Sequence, residues 1–149
     1  MLVLVHHGHA LVREVDPTQP LSGPGRAASE HLALEAAARG VRPDAVWHSG
    51  KFRARQTAEL FLRACNPHAV FSVARGLQPT DPPGVVQSRV ESNDRSLLLV
   101  GHMPHLERLL RALCGESPGS VTPDFPSHGC VALRREGEHW QELWRLARS

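Results

Sequence analysis

Met1-Leu-Val-Leu-Val-His6-His7-Gly8-His9-Ala10 is an apolar run of strand length that stops at two histidines and a glycine. A second stretch repeats the design: Leu97-Leu-Leu-Val-Gly101-His102-Met103-Pro104-His105. Neither run alternates polar and apolar residues, so each predicts a strand buried on both faces. Glycine beside histidine lets the backbone turn sharply and lets a ligand approach closely. Sheets of α/β proteins bind ligands at the carboxyl ends of their strands. His7 and His102 therefore stand where chemistry is expected, and His7 is the candidate nucleophile.

Between and beyond these stretches, strands alternate with helices. Ser22 predicts an N-cap for a helix beginning near Gly23, with Ala28, Leu32 and Ala36 on one face and Gly40 at its end. Ala45–Trp47 is a second strand, and a helix over 52–64 follows it. Residues 69–73 are a third strand, 77–84 a loop rich in proline, and 85–90 a short helix. After the strand Leu97–Val100, Pro104 suits the first turn of a helix. Leu106, Leu109, Leu110 and Leu113 give that helix its apolar face, and Gly115 closes it. Residues 116–126 read as loop. Cys130–Arg134 and His139–Leu146 read as a hairpin around Glu136-Gly137. The pattern predicts a single domain over residues 1–149, an α/β/α sandwich around a mostly parallel sheet.

Composition narrows the function. In 149 residues the net charge is only +2, and the arginines are scattered among few aromatics, so no nucleic-acid face is expected. No stretch approaches the ~18–20 apolar residues of a membrane span. Cys65, Cys114 and Cys130 form no CxxC pair and read as reduced, buried thiols, which predicts a cytoplasmic protein. Ten histidines are the compositional oddity.

Arg53 falls in the first turn after the second strand, where unpaired N–H groups and the helix dipole favour an anion. Its planar fork can hold two phosphate oxygens at once. Histidines converging on such an arginine suggest a phosphate site. The residues His6-His7-Gly8-His9-Ala10 resemble the Arg-His-Gly signature of the histidine phosphatase superfamily, which includes cofactor-dependent phosphoglycerate mutases. Pro20-Leu21-Ser22-x-x-Gly25 is similar to the family's Pro-Leu-Thr-x-x-Gly. Ser49-Gly50-Lys51-Phe52-Arg53-Ala54-Arg55-Gln56-Thr57 is similar to its Ser-Pro-x-x-Arg-Ala-x-x-Thr. Gly101-His102-Met103-Pro104 is similar to its second-histidine motif. Four motifs in order, in so short a chain, resemble the SixA-type phosphohistidine phosphatases.

The resemblance implies a phosphoglycerate mutase-like fold and an enzyme without cofactor or metal. It implies that His7 attacks phosphorus and carries a transient phosphoryl group. Arg53 and His102 would bind the phosphoryl oxygens, with Gly8 and Ser49 beside them. Attack needs neutral His7, held by a hydrogen bond from its other nitrogen to a backbone acceptor. Asp81 is a candidate proton donor. The expected partner is a phosphorylated protein or a small phosphorylated metabolite. Residues 11–20, 77–83 and 116–126 would choose between them. Oligomeric state is not encoded in any of these features.

His6 departs from the family, which has arginine there. As a phosphate ligand it would supply its charge only when protonated, and strand alternation would point it away from His7 unless the turn has begun. That departure motivates an alternative, a catalytically impaired phosphoryl-binding module. A zinc site from His7, His9, His102 and His105 is a third reading, disfavoured by an arginine among the ligands. His9, His48, His105 and His128 otherwise read as surface or supporting residues.

Overall fold

The computed structural model describes residues 1–115 and 124–147, so 116–123 of the expected loop 116–126 lie outside the described residues. The elements are β1 (Leu2–His6), α1 (Gly23–Ala38), β2 (Ala45–His48), α2 (Phe52–Cys65), β3 (Val70–Val73), α3 (Pro83–Glu91), β4 (Leu97–Gly101), α4 (His105–Cys114), β5 (Cys130–Glu136) and β6 (His139–Leu146). The six strands form one sheet in the order β3-β2-β4-β1-β5-β6. β3, β2, β4 and β1 are mutually parallel, while β5 and β6 add an antiparallel hairpin. This is the expected α/β architecture with its mostly parallel sheet.

The period of two along each strand divides the core between the faces. Leu2 and Leu4 of β1, Ala45 and Trp47 of β2, and Leu97 and Leu99 of β4 pack with Val86 and Val90 of α3 and the leucines of α4. Val3, Val5, Val46, Leu98 and Val100 pack on the opposite face with Leu32, Ala33 and Ala36 of α1 and Ala54, Ala58 and Phe61 of α2. Leu106, Leu109, Leu110 and Leu113 are at most 2% exposed, each stabilising the fold by about 1.5–3 kcal/mol relative to an exposed leucine.

Helix ends follow the sequence. Ser22 Oγ accepts the N–H of Gly25, capping α1, and Gly40 leaves α1 with φ of 86°. Pro104 is the cap of α4 rather than a member of its first turn, since α4 begins at His105. α3 begins at Pro83, two residues before the expected start, because proline fits the first helical turn. β5 extends to Glu136, so the turn of the hairpin is Gly137-Glu138.

The order of strands places the two histidine-bearing ends side by side. β1 and β4 pair in register, with His6 opposite Gly101, so both strands release their chains at the same edge of the sheet. β2 flanks β4 there and delivers Ser49 and the start of α2.

Candidate active site

His7 follows the last residue of β1, and its N–H donates to Gly101 O at 3.1 Å. The rings of His6 and His7 stand edge to face with centroids 4.6 Å apart, so the turn has begun by His7 and both face one pocket. His7 Nδ1 lies 2.7 Å from Gly8 O. A carbonyl only accepts, so Nδ1 carries the proton and the lone pair is on Nε2. Burial foremost, then the charge of Arg53, pushes the His7 pKa down to about 4 despite the opposing bond to Gly8. His7 is thus neutral at physiological pH.

Gly8 is fixed by close packing. A Cβ there would collide with Ser29 Oγ of α1, and a Cβ on Gly25 would collide with the carbonyl of His9. The β1–α1 connection therefore lies directly on α1, which accounts for the spacing of Gly25 from Ser22. The Gly8 N–H donates to Thr57 Oγ1 at 3.0 Å, and Thr57 donates onward to Arg53 O at 2.9 Å. Gln56 Oε1 accepts the N–H of Leu21 at 2.7 Å. Gln56 and Thr57 of the second motif are thus braces between α2 and the nucleophile loop.

His102 stands beside His7, with centroids 4.9 Å apart. Its Nε2 is 2.6 Å from Ser49 Oγ, which also accepts the N–H of Lys51 at 3.3 Å. Its Nδ1 is buried with no partner among the described residues. Burial, followed by neighbouring His7 and Arg53, pushes the His102 pKa down to about 3. Arg53 is half-buried on the first turn of α2, and its charge acts on His6, His7 and His102. Arg13 and Lys51 add positive potential, Arg13 acting on Arg53 and Lys51 on His102.

His6 faces the pocket without a permanent charge. Its pKa is pushed down to about 3, by burial first and then by His7, His128 and Arg53, so it is neutral at physiological pH. Geometry gives the same answer, since His6 Nδ1 accepts the backbone N–H of His128 at 2.8 Å. The proton of neutral His6 is therefore on Nε2. His128, read from the sequence as a surface or supporting residue, has a supporting position here. Its ring stacks on His6 at 4.5 Å with 10° between the planes, and its Nδ1 is 2.7 Å from His7 O. Only the hairpin topology brings it here, from more than 120 positions away, and its local sequence Pro126-Ser-His128-Gly reads simply as a turn.

Of the histidines in the zinc reading, only His7 joins the cluster found among the described residues, His6, His7 and His128, with one ring nitrogen of each within 4.8 Å of the others. That cluster does not suit a cation. His6 presents an N–H rather than a lone pair, and the Arg53 charge faces the group. His48 and His105 are buried rather than surface residues, 3% and 0% exposed. Asp81 stands on an adjoining cleft of about 380 Å³, lined also by Ser49, Arg75 and Gln78. Its Oδ2 accepts the N–H of Gln78, whose side chain donates to Ser49 O.

No protein-family model matches the sequence, and no curated protein matches it either. Solved structures do. The protein histidine phosphatase SixA, solved with tungstate, superposes with a TM-score of 0.85 at 23% identity, over 98% of this chain and 96% of that one. A candidate phosphohistidine phosphatase SixA from Agrobacterium tumefaciens matches with a TM-score of 0.78 at 28% identity, again over 98% and 96%. A third of that description, from Nakamurella multipartitia, matches with a TM-score of 0.78 at 20% identity, over 99% and 95%. The chain has the fold of the histidine phosphatase (phosphoglycerate mutase-like) superfamily, and its likeness is to the SixA-type members.

Proposed function

We propose that the chain is a phosphatase that hydrolyses a phosphoryl group through a phosphohistidine intermediate on His7. The observation that carries this reading is the bond between His7 Nδ1 and Gly8 O, which leaves a neutral imidazole with its Nε2 lone pair free. Nε2 attacks phosphorus in line, the leaving group departs, and water then releases phosphate from the nitrogen. Arg53 and His102 stabilise the equatorial oxygens, with Lys51 and Arg13 raising the local potential. Ser49 holds the His102 ring in place. The substrate is phosphohistidine on a protein or a small phosphate ester. The open cleft beside Ser49 favours a protein-borne group, and imidazole as leaving group needs little acid assistance. For a poorer leaving group, Asp81 on that cleft is the candidate donor.

Rapid quenching with a labelled phosphoramidate tests this. Acid-labile label should sit on His7, and His7→Ala should lose both label and turnover. Turnover near the wild-type rate in His7→Ala would end the proposal. One observation favours a second reading, a phosphoryl-binding module: His6 brings no permanent charge to the place where the family has arginine. Tight oxyanion binding with no turnover of any phosphoryl donor would select it.

A further inference from the structure

His128 is held more firmly than a turn requires. Its φ is 53°, in the left-handed region, which is uncommon for residues other than glycine. Such strain persists only where surrounding contacts impose it, and it gathers at ligand sites. Here the turn puts the His128 N–H on His6 Nδ1, its ring flat on His6, and its Nδ1 on the carbonyl of His7. The next residue continues the clamp, since Gly129 O accepts the N–H of His6 at 2.9 Å.

These bonds separate the two imidazoles by role. A backbone N–H only donates, so a second proton on His6 would have to displace the His128 N–H. A carbonyl only accepts, so His128 already carries its proton on Nδ1 and its open nitrogen is Nε2. A second proton there displaces nothing, and the bond to His7 O strengthens when the ring is charged. One ring nitrogen from each of His6, His7 and His128 lies within 4.8 Å of the other two, so the three rings converge on one small volume.

We infer that the stacked pair replaces the single arginine by dividing its functions, His6 giving a neutral N–H to the phosphoryl oxygens and His128 taking up a proton when the oxyanion binds. One proton enters from solvent onto His128 Nε2 for each oxyanion bound, and no other bond is made or broken. Among the described residues, the ionisable rings packed near His128 are His6 and His7 at the end of β1 and His9 at 6.0 Å on the loop beyond, and the Arg53 charge of α2 reaches His6 and His7. Among the described residues no carboxylate forms an ion pair with His128, so the oxyanion itself is the counter-charge. The inference rests on the pocket being a phosphoryl site and is independent of turnover.

Tungstate in dilute solution is the probe, because below the concentration at which it condenses it remains a monomeric tetrahedral dianion across the range in which imidazoles change charge. Calorimetry in buffers of different ionisation enthalpy should show proton uptake by the wild type. Its affinity should rise as pH falls from about 8 to about 6, by at most about tenfold per pH unit for one proton. His128→Asn keeps a side chain that tolerates positive φ and an amide that can donate to His7 O, but it cannot titrate. That variant should bind at the alkaline wild-type level at both pH values, without uptake. Nitrogen chemical shifts of the wild-type His128 ring, with and without tungstate, read the same proton without a variant. Equal pH dependence in His128→Asn, no tungstate binding, or binding that leaves the His128 ring neutral would overturn the inference. Turnover with pH-independent binding would do so alone, whereas proton-linked binding without turnover would overturn only the phosphatase reading.

Discussion

Replacing His6 with arginine should move stability and rate in opposite directions. His6 is 8% exposed, and its Nδ1 is the acceptor for the His128 N–H. Arginine has no acceptor, so His6→Arg orphans that N–H at a cost of about 1–3 kcal/mol. For a chain of this size 1 kcal/mol corresponds to about 2–4 °C, so Tm should fall by about 2–12 °C. Against this, the variant gains a permanent forked cation beside His7. One preorganised donor at a developing charge is worth about 10²–10³ in rate, which bounds the gain from above. The advantage should persist above neutral pH, because the guanidinium keeps its charge there. The assay is kcat/KM against pH for both proteins on one phosphoramidate, beside thermal melts in the same buffers. A variant that melts with the wild type and follows the same pH profile would refute the reasoning. It would show that His6 neither anchors the His128 turn nor faces the phosphoryl group.

Arg53→Ala should lower kcat/KM by about 10²–10³ with Tm within a degree or two, because the guanidinium makes no hydrogen bond among the described residues; a collapse in Tm would make Arg53 structural. Thr57→Val removes the acceptor of the Gly8 N–H, so both Tm and rate should drop, and a variant with unchanged kcat would show that the nucleophile loop needs no brace. The depressed pKa values of His6, His7 and His102 mean that the unfolded chain binds more protons than the folded one between about pH 6.5 and their folded values near 3 to 4. Stability from these groups is therefore complete above about pH 6.5 and lost on acidification, at no more than about 1.4 kcal/mol per pH unit for each ring. Denaturant midpoints at pH 7 and pH 5 check the sign, and equal midpoints would show the rings to be charged in the native state. The same values predict that protonation of His7 does not limit kcat/KM above about pH 5, which a pH–rate profile reads directly.

Much of the fold is local in origin and therefore legible. Leu2–Val5 and Leu97–Val100 are continuous apolar runs, which only a doubly covered strand can bury. Ser22, Gly40 and the leucines of α4 mark helix ends and faces within a few residues of where they act. Gathering His7, Arg53, His102 and Ser49 needed the family's motif order as a guide, because nothing in their spacing shows that β4 lies between β1 and β2. The contacts of His128 and the place of Arg13 were illegible for a related reason. Their roles depend on which loops meet above the sheet, a long-range fact without a local pattern. The neutral state of His6 was hidden too, since it follows from burial and from one backbone N–H of a distant turn.

The position of β1 has a consequence for how the site opens. β1 is bonded on both sides, to β4 and to β5, whereas β3 and β6 are the edges of the sheet. Amides of a doubly paired central strand exchange with solvent only when the whole domain unfolds, while loops and edge strands exchange through small local openings. The N–H groups of Val3 and Val5 should report the global free energy of unfolding, and that of Gly129, in the turn ahead of β5, a smaller one. His6 and His7 are thus mounted on the slowest-exchanging part of the molecule, and the residue that clamps them is mounted on a faster one. Hydrogen exchange on the free protein would show this as two separate protection classes within one site.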